Sequence, residues 1–178
     1  MEKLNPKKIL TPEQIRAKID LRTTEGNRCV RLLERESGEK TFLRLYDDYQ
    51  IFPSESEITA ALKRMVMTLP TIGFLSGHGE RETDRPGDRN YCMFTHLPMM
   101  RQALVNQGFD YKDVTLDKEI PAEINILVIA EMREPMTDVE KVNFDKYVAR
   151  GGNLVIIGEP GRQGAMAPVL EPFGVKLV

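Results

Sequence analysis

The sequence predicts an α/β domain, a three-layer sandwich around a mainly parallel sheet, with an N-terminal β-hairpin appendage. Three observations predict it. From residue 71 onward, short apolar runs alternate with amphipathic segments, the βα order from which parallel sheets are built. Ile126-Leu127-Val128-Ile129 and Leu154 to Ile157 are continuously apolar, as expected of strands covered on both faces. Thr11 to Gln14, Ser54 to Glu57 and Thr137 to Glu140 are capping boxes, each marking a helix start.

In chain order, Thr11-Pro12-Glu13-Gln14 opens a short helix reaching about Ile19, with proline at the first helical position, where its missing N–H is harmless. Arg28 to Arg35 and Lys40 to Tyr46 read as the two strands of a hairpin, joined at Ser37-Gly38. Behind Ser54, the residues Ile58, Ala61, Leu62, Met65, Val66 and Leu69 share one helical stripe, which predicts a helix docked through that stripe and ended by Pro70. Thr71 to Leu75 is the first strand of the main sheet. A helix is expected from Phe94 or His96 to Gln107, with Leu97, Met100 and Leu104 inward, closed by Gly108. Tyr111 to Leu116 is a weaker strand and Asn125 to Ala130 a strong one. The link between them, Asp117 to Ile124, is short for a parallel crossover. The helix after Thr137 presents Val139, Val142, Phe144, Tyr147 and Val148, and Gly151-Gly152 stops it. Leu154 to Ile157, a helix near Gln163 to Leu170 and a last strand over Gly174 to Val178 complete the reading. Residues 1–52 form the appended segment and residues 53–178 the α/β domain. A strand at the end with no closing element reads as an excerpt of a longer protein.

Composition narrows the function classes. The chain has 178 residues, 25 basic and 27 acidic, a net charge of −2 and no Trp. There is no basic excess to neutralise phosphates and little aromatic surface for stacking bases, so nucleic acid is not an expected partner. No apolar run is long enough for a membrane span. Cys29 and Cys92 lack metal-ligand spacing, and one disulfide or two free thiols are both open readings. With His78 and His96 as the histidines and no second ligand at helical spacing to either, no metal site is expected, and no cofactor. Cys92 has His96 four residues on, and reads better as an incidental thiol than as a nucleophile. Met93, Met99 and Met100 read as core filler.

Open α/β sheets bind ligands beyond the carboxyl ends of their strands. Three such ends are predicted, at Ser76-Gly77-His78-Gly79-Glu80-Arg81, at Glu131 with Arg133, and at Glu159 with Arg162. Parallel strands gather these residues at one edge, and they are the candidate ligand- or partner-binding set. Gly77-His78-Gly79 lacks the spacing of a phosphate loop and reads as a tight turn. Charged strand-end loops commonly pair among themselves, which is the plain reading. The competing one makes His78 a general base oriented by Glu80 or Glu159, in a small-molecule-binding or hydrolytic enzyme.

Phe74-Leu75-Ser76-Gly77-His78-Gly79-Glu80-Arg81 resembles the signature of the gliding-motility-associated ABC transporter auxiliary proteins. The resemblance continues through Leu127 to Ala130, Arg133 to Thr137, Tyr147 to Leu154 and Gly158-Glu159-Pro160-Gly161, and covers roughly residues 28–178. It implies a flavodoxin-like, class I glutamine-amidotransferase-like fold. It also implies a non-catalytic extracytoplasmic accessory or recognition domain at the periplasmic face of the inner membrane. The implied partners are ABC permease and ATPase components, with homo-oligomerisation a further option and membrane contact only through segments outside this chain. The amidotransferases carry a nucleophilic Cys after the strand corresponding to Leu154–Ile157. Gly158 stands there, followed by Glu159, and neither can form a thioester, so no catalytic residue carries over.

Overall fold

The computed structural model describes residues 5–19, 30–46, 49–50 and 52–178. Arg28 and Cys29 lie outside the described residues; Cys92 is a buried free thiol. Helix α1 (Pro12–Lys18) starts at a complete Thr11 capping box. Strands β1 (Val30–Glu34) and β2 (Lys40–Arg44) pair antiparallel as the expected hairpin. The strongly positive φ of Gly38, 100°, turns the chain between them.

Helix α2 (Glu55–Val66) begins at the Ser54 capping box and packs on β2; of the predicted stripe Ala61 and Leu69 are buried, but Ile58, Leu62 and Val66 are not. Ile58 is 39% exposed, Leu62 49% and Val66 61%. The buried face is Glu57, Ala60 and Ala61. Two interactions explain this rotation. Small side chains let the backbone come close, and a Cβ on Gly108 would lie 3.3 Å from that of Ala60. Glu57, although charged, is buried because it faces the Arg101 guanidinium and accepts the Ser54 N–H at 2.8 Å.

The main sheet is parallel with order β4-β3-β5-β6, formed by β3 (Thr71–Leu75), β4 (Asp110–Val114), β5 (Ile124–Ala130) and β6 (Asn153–Ile157). All of β3 is buried. Strands β4 and β5 do not pair with each other: each pairs with β3, on opposite sides. The short link therefore crosses β3 without a helix. It does so as part of the core, because Leu116 (0% exposed) and Ile120 (1%) belong to the main hydrophobic cluster. Its carbonyls are capped from outside. Asn143 Nδ2 donates to Leu116 O at 2.8 Å, and the Arg150 guanidinium donates to Ile120 O at 2.6 Å and Pro121 O at 2.8 Å.

One face of the sheet is covered by α4 (Asp138–Ala149) and α5 (Gln163–Leu170), through Phe144, Tyr147, Met166 and Val169. Val139 and Val142, expected inward on α4, are exposed at 62% and 54%. The helix is turned to bring Asn143 onto Leu116 and Phe144 into the core. The opposite face packs Ile72, Phe74, Val128 and Ala130 against Leu104, Tyr91 and Phe109. The helix predicted across 94–107 is broken. Helix α3 spans only Cys92–Thr95, followed by turns and a 3-10 turn at Leu104–Asn106. Pro98 lacks the N–H a continuous helix needs, and the freed carbonyls of Pro98 and Met100 accept from Asn106 Nδ2 at 3.1 and 2.8 Å instead. The predicted last strand is also absent: residues 175–178 are irregular, with Leu177 partly buried against the core.

Candidate functional site at the strand ends

The connection after β3 leads to β4 on one side, and that after β5 leads to β6 on the other. The point where the topology reverses lies between the carboxyl ends of β3 and β5, the usual crevice of open α/β sheets. The segments 76–81 and 131–134 meet there. Ser76 N donates to Val114 O at 2.9 Å, continuing the β4 side of the sheet. Gly77 (φ 119°) and Gly79 (φ 77°) then place the chain in the left-handed region that glycine tolerates, on either side of His78. His78 O accepts the N–H groups of Arg133 at 2.8 Å and Glu134 at 3.2 Å, which ties the two segments together.

His78 is 4% exposed and lies between two carboxylates. Its Nδ1 is 3.2 Å from Glu80 Oε1, its Nε2 is 3.3 Å from Glu140 Oε1, and its N–H donates to Glu80 Oε2 at 2.6 Å. The Glu80 side chain is 2% exposed. Each ring nitrogen therefore has a carboxylate oxygen within hydrogen-bonding reach, one from the loop itself and one from α4. Glu140 was legible in the sequence only as the capping-box residue of α4. It accepts the Thr137 N–H at 2.8 Å as a cap should and also reaches His78, so the β3 loop is fixed to the start of α4.

The Glu140 carboxyl is held below the ordinary value of 4.5, first by the Thr137 N–H, then by the Thr137 hydroxyl, with His78 adding to the effect against partial burial. A carboxyl depressed by folding contributes stability that is present above its unfolded pKa and lost as the pH falls through its folded value. The wild-type urea midpoint is therefore expected to fall more steeply than that of Glu140→Gln as the pH is lowered from about 6 to about 3. Parallel midpoint-versus-pH curves for the two proteins would contradict this.

Arg81 is the second bridge. Its Nε donates to Glu131 Oε2 at 2.7 Å and its Nη2 lies 2.6 Å from Glu131 Oε1, the two-pronged geometry that favours arginine over lysine. Glu131 raises the Arg81 pKa and, after burial, that of Tyr91. Glu131 has φ 58°, the single positive value at a non-glycine position among the described residues, and its N–H donates to Ile157 O at 2.9 Å. Left-handed non-glycine residues concentrate at functional sites.

The structure brings Ser76 to Arg81 together with Glu131 and Arg133 at one crevice. Glu159 and Arg162 lie 4.0 Å from each other, Glu159 contributes to the field that raises the Arg81 pKa, and the carboxylate that faces His78 beside Glu80 is Glu140. Gly158 follows β6 at the elbow, where a Cβ would lie 3.1 Å from the Leu177 side chain. Cys92 Sγ is 3.8 Å from His96 Nε2, but neither residue lines the two open clefts beside the β3 loop. His96 stacks on Tyr111, whose pKa is pushed up to about 12 by burial and then by Asp84. No group of metal-ligating side chains occurs among the described residues, and no described helix is long and apolar enough to cross a membrane.

The chain is thus an α/β domain with an open parallel sheet and a polar, internally bridged crevice at its switch point. Residues 69–171 match the model of a family described as an ABC-type uncharacterized transport system, and the chain, matched over more than half its length, belongs to that family. It is an auxiliary domain of an ABC transport system. No curated protein and no solved structure matches the chain.

Proposed function

We propose that the protein is a non-catalytic accessory and recognition domain of an ABC transport system, of the gliding-motility-associated type. In this reading it works on the periplasmic face of the inner membrane, with the permease and ATPase components as its partners. Residues 53–178 act as the auxiliary domain in a glutamine-amidotransferase-like, flavodoxin-like fold, and residues 1–52 are an appended segment. The observation that supports the reading most directly is the commitment of His78 to Glu80 and Glu140 and of Arg81 to Glu131. A general base needs a free lone pair within reach of a substrate proton, whereas His78 has a carboxylate at each ring nitrogen and is buried. Gly158 at the elbow supports the same reading, as it offers no nucleophile. The test is affinity purification of the native gene product from detergent-solubilised membranes, with protease protection in intact and lysed spheroplasts. Permease and ATPase subunits are expected to co-purify, and the domain is expected to be cleaved before lysis. Turnover of glutamine or simple esters that is lost in Glu80→Gln would overturn the reading.

A further inference from the structure

Beside the switch point lies an open cleft of about 540 Å³, between the chain from Gly79 to Asn90 and Arg133. The segment from Glu82 to Tyr91 is a compact closed loop. Its ends are joined where Tyr91 N donates to Glu82 O at 2.9 Å and Glu82 N donates to Asn90 Oδ1 at 3.2 Å. Its base is pinned by Thr83 Oγ1, which donates to the Asp113 carboxylate at 2.9 Å, and by Thr95 Oγ1, which donates to Thr83 O at 3.0 Å. Loops of this kind, with joined ends and a fixed base, often carry function. This one carries Arg85 and Arg89 into the cleft, opposite Arg133.

The charges in this cleft sort into engaged and free groups. Arg81 is neutralised by Glu131, Glu80 faces His78, and Glu82 faces Arg85 at 3.4 Å. Arg89 and Arg133 have no ion-pair partner among the described residues, and Asp88 is the remaining acid of the lining. Arg133 is also held in place. Its N–H is bonded to His78 O at 2.8 Å, and its stem lies so close to Gly79 that a Cβ there would come within 3.2 Å. Two free guanidinium groups on a fixed frame are set for carboxylates, which they bind with two parallel hydrogen bonds.

Pockets for small organic ligands are enclosed and mainly apolar. This cleft is open, and Pro86 is its one apolar side chain. We infer that the cleft receives a carboxylate-rich segment of a partner polypeptide, held by Arg89 and Arg133. The inference rests on the recognition role proposed above and names its chemistry.

The experiment uses the complete protein and three probes: a fluorescent oligo-glutamate peptide, an oligo-glutamine peptide of equal length, and inorganic phosphate. Oligo-glutamate is expected to bind, measured by anisotropy, while oligo-glutamine does not. The double substitution Arg89→Ala with Arg133→Ala is expected to weaken binding about ten-fold, and added salt is expected to weaken the wild-type complex as well. Equal binding of the two peptides, or unchanged affinity in the double variant, would overturn the inference. Binding of phosphate without binding of oligo-glutamate would overturn it in favour of a small-anion site. Association with the transporter subunits that survives Arg89→Glu with Arg133→Glu would also overturn it while leaving the accessory role standing. If the unaltered protein failed to associate at all, the accessory role would fall instead.

Discussion

His78→Ala is expected to lower stability by about 3–5 kcal/mol, because it removes the ring between two carboxylates and leaves one of them buried without its partner. Glu80 is the group left behind: its side chain is 2% exposed and keeps only the backbone N–H of residue 78. Urea denaturation checks the size of the effect, and a second substitution checks its cause. Adding Glu80→Gln to His78→Ala takes away the stranded charge and is expected to recover part of the loss. An unchanged midpoint in the single variant, or a double variant no more stable than the single one, would contradict the account. If the role of His78 is structural, association with the transporter falls only in proportion to the folded fraction.

The second large effect is in the main core. Phe144 is 0% exposed and belongs to the cluster joining α4 and α5 to the sheet. Phe144→Ala removes a ring from a packed interior and is expected to cost about 3–5 kcal/mol. Leu62→Asp makes the informative contrast. The sequence pattern places Leu62 on a docked stripe, but the side chain is 49% exposed. The substitution is therefore expected to cost about 1 kcal/mol or less, mainly through the poorer helix propensity of Asp. Thermal midpoints that fall equally in the two variants would show that the exposed stripe of α2 is covered in solution.

The α2 result shows where the sequence could be read and where it could not. Capping boxes are local, and all three predicted ones form, at Thr11, Ser54 and Thr137. The buried strands are almost as local, because an apolar run flanked by turns has few other ways to hide itself; β3 and β5 fall where expected, whereas β6 forms in place but at the sheet edge, with Val155 and Ile157 exposed instead of covered on both faces. Which face of a helix is buried depends on partners distant in sequence. Glu57 is buried because of Arg101, and Asn143 because of the Leu116 carbonyl. A hydrophobicity pattern cannot register a charge or an amide that finds its partner only in the folded state. The same holds at the strand ends. The glycines around His78 marked a sharp turn, whereas the second carboxylate, Glu140, was hidden in a motif with a sufficient local explanation. The helix expected across 94–107 failed for a different reason, since its apolar spacing was real but Pro98 interrupts the ladder.

The placement of β3 has a consequence for how the chain reaches this state. Thr71 pairs with both Asp110 and Ile124, and Ile126 pairs with Asn153, so every pairing of the parallel sheet joins segments far apart in sequence. Each closure must span a loop before any contact compensates the lost entropy, and proteins dominated by such non-local pairings fold slowly. As the polypeptide leaves the ribosome, β3 is an apolar segment without neighbours until the chain beyond residue 110 has appeared. During that interval Ile72, Phe74 and Leu75 are exposed to other chains, and synthesis rate and chaperone supply become determinants of yield for this domain.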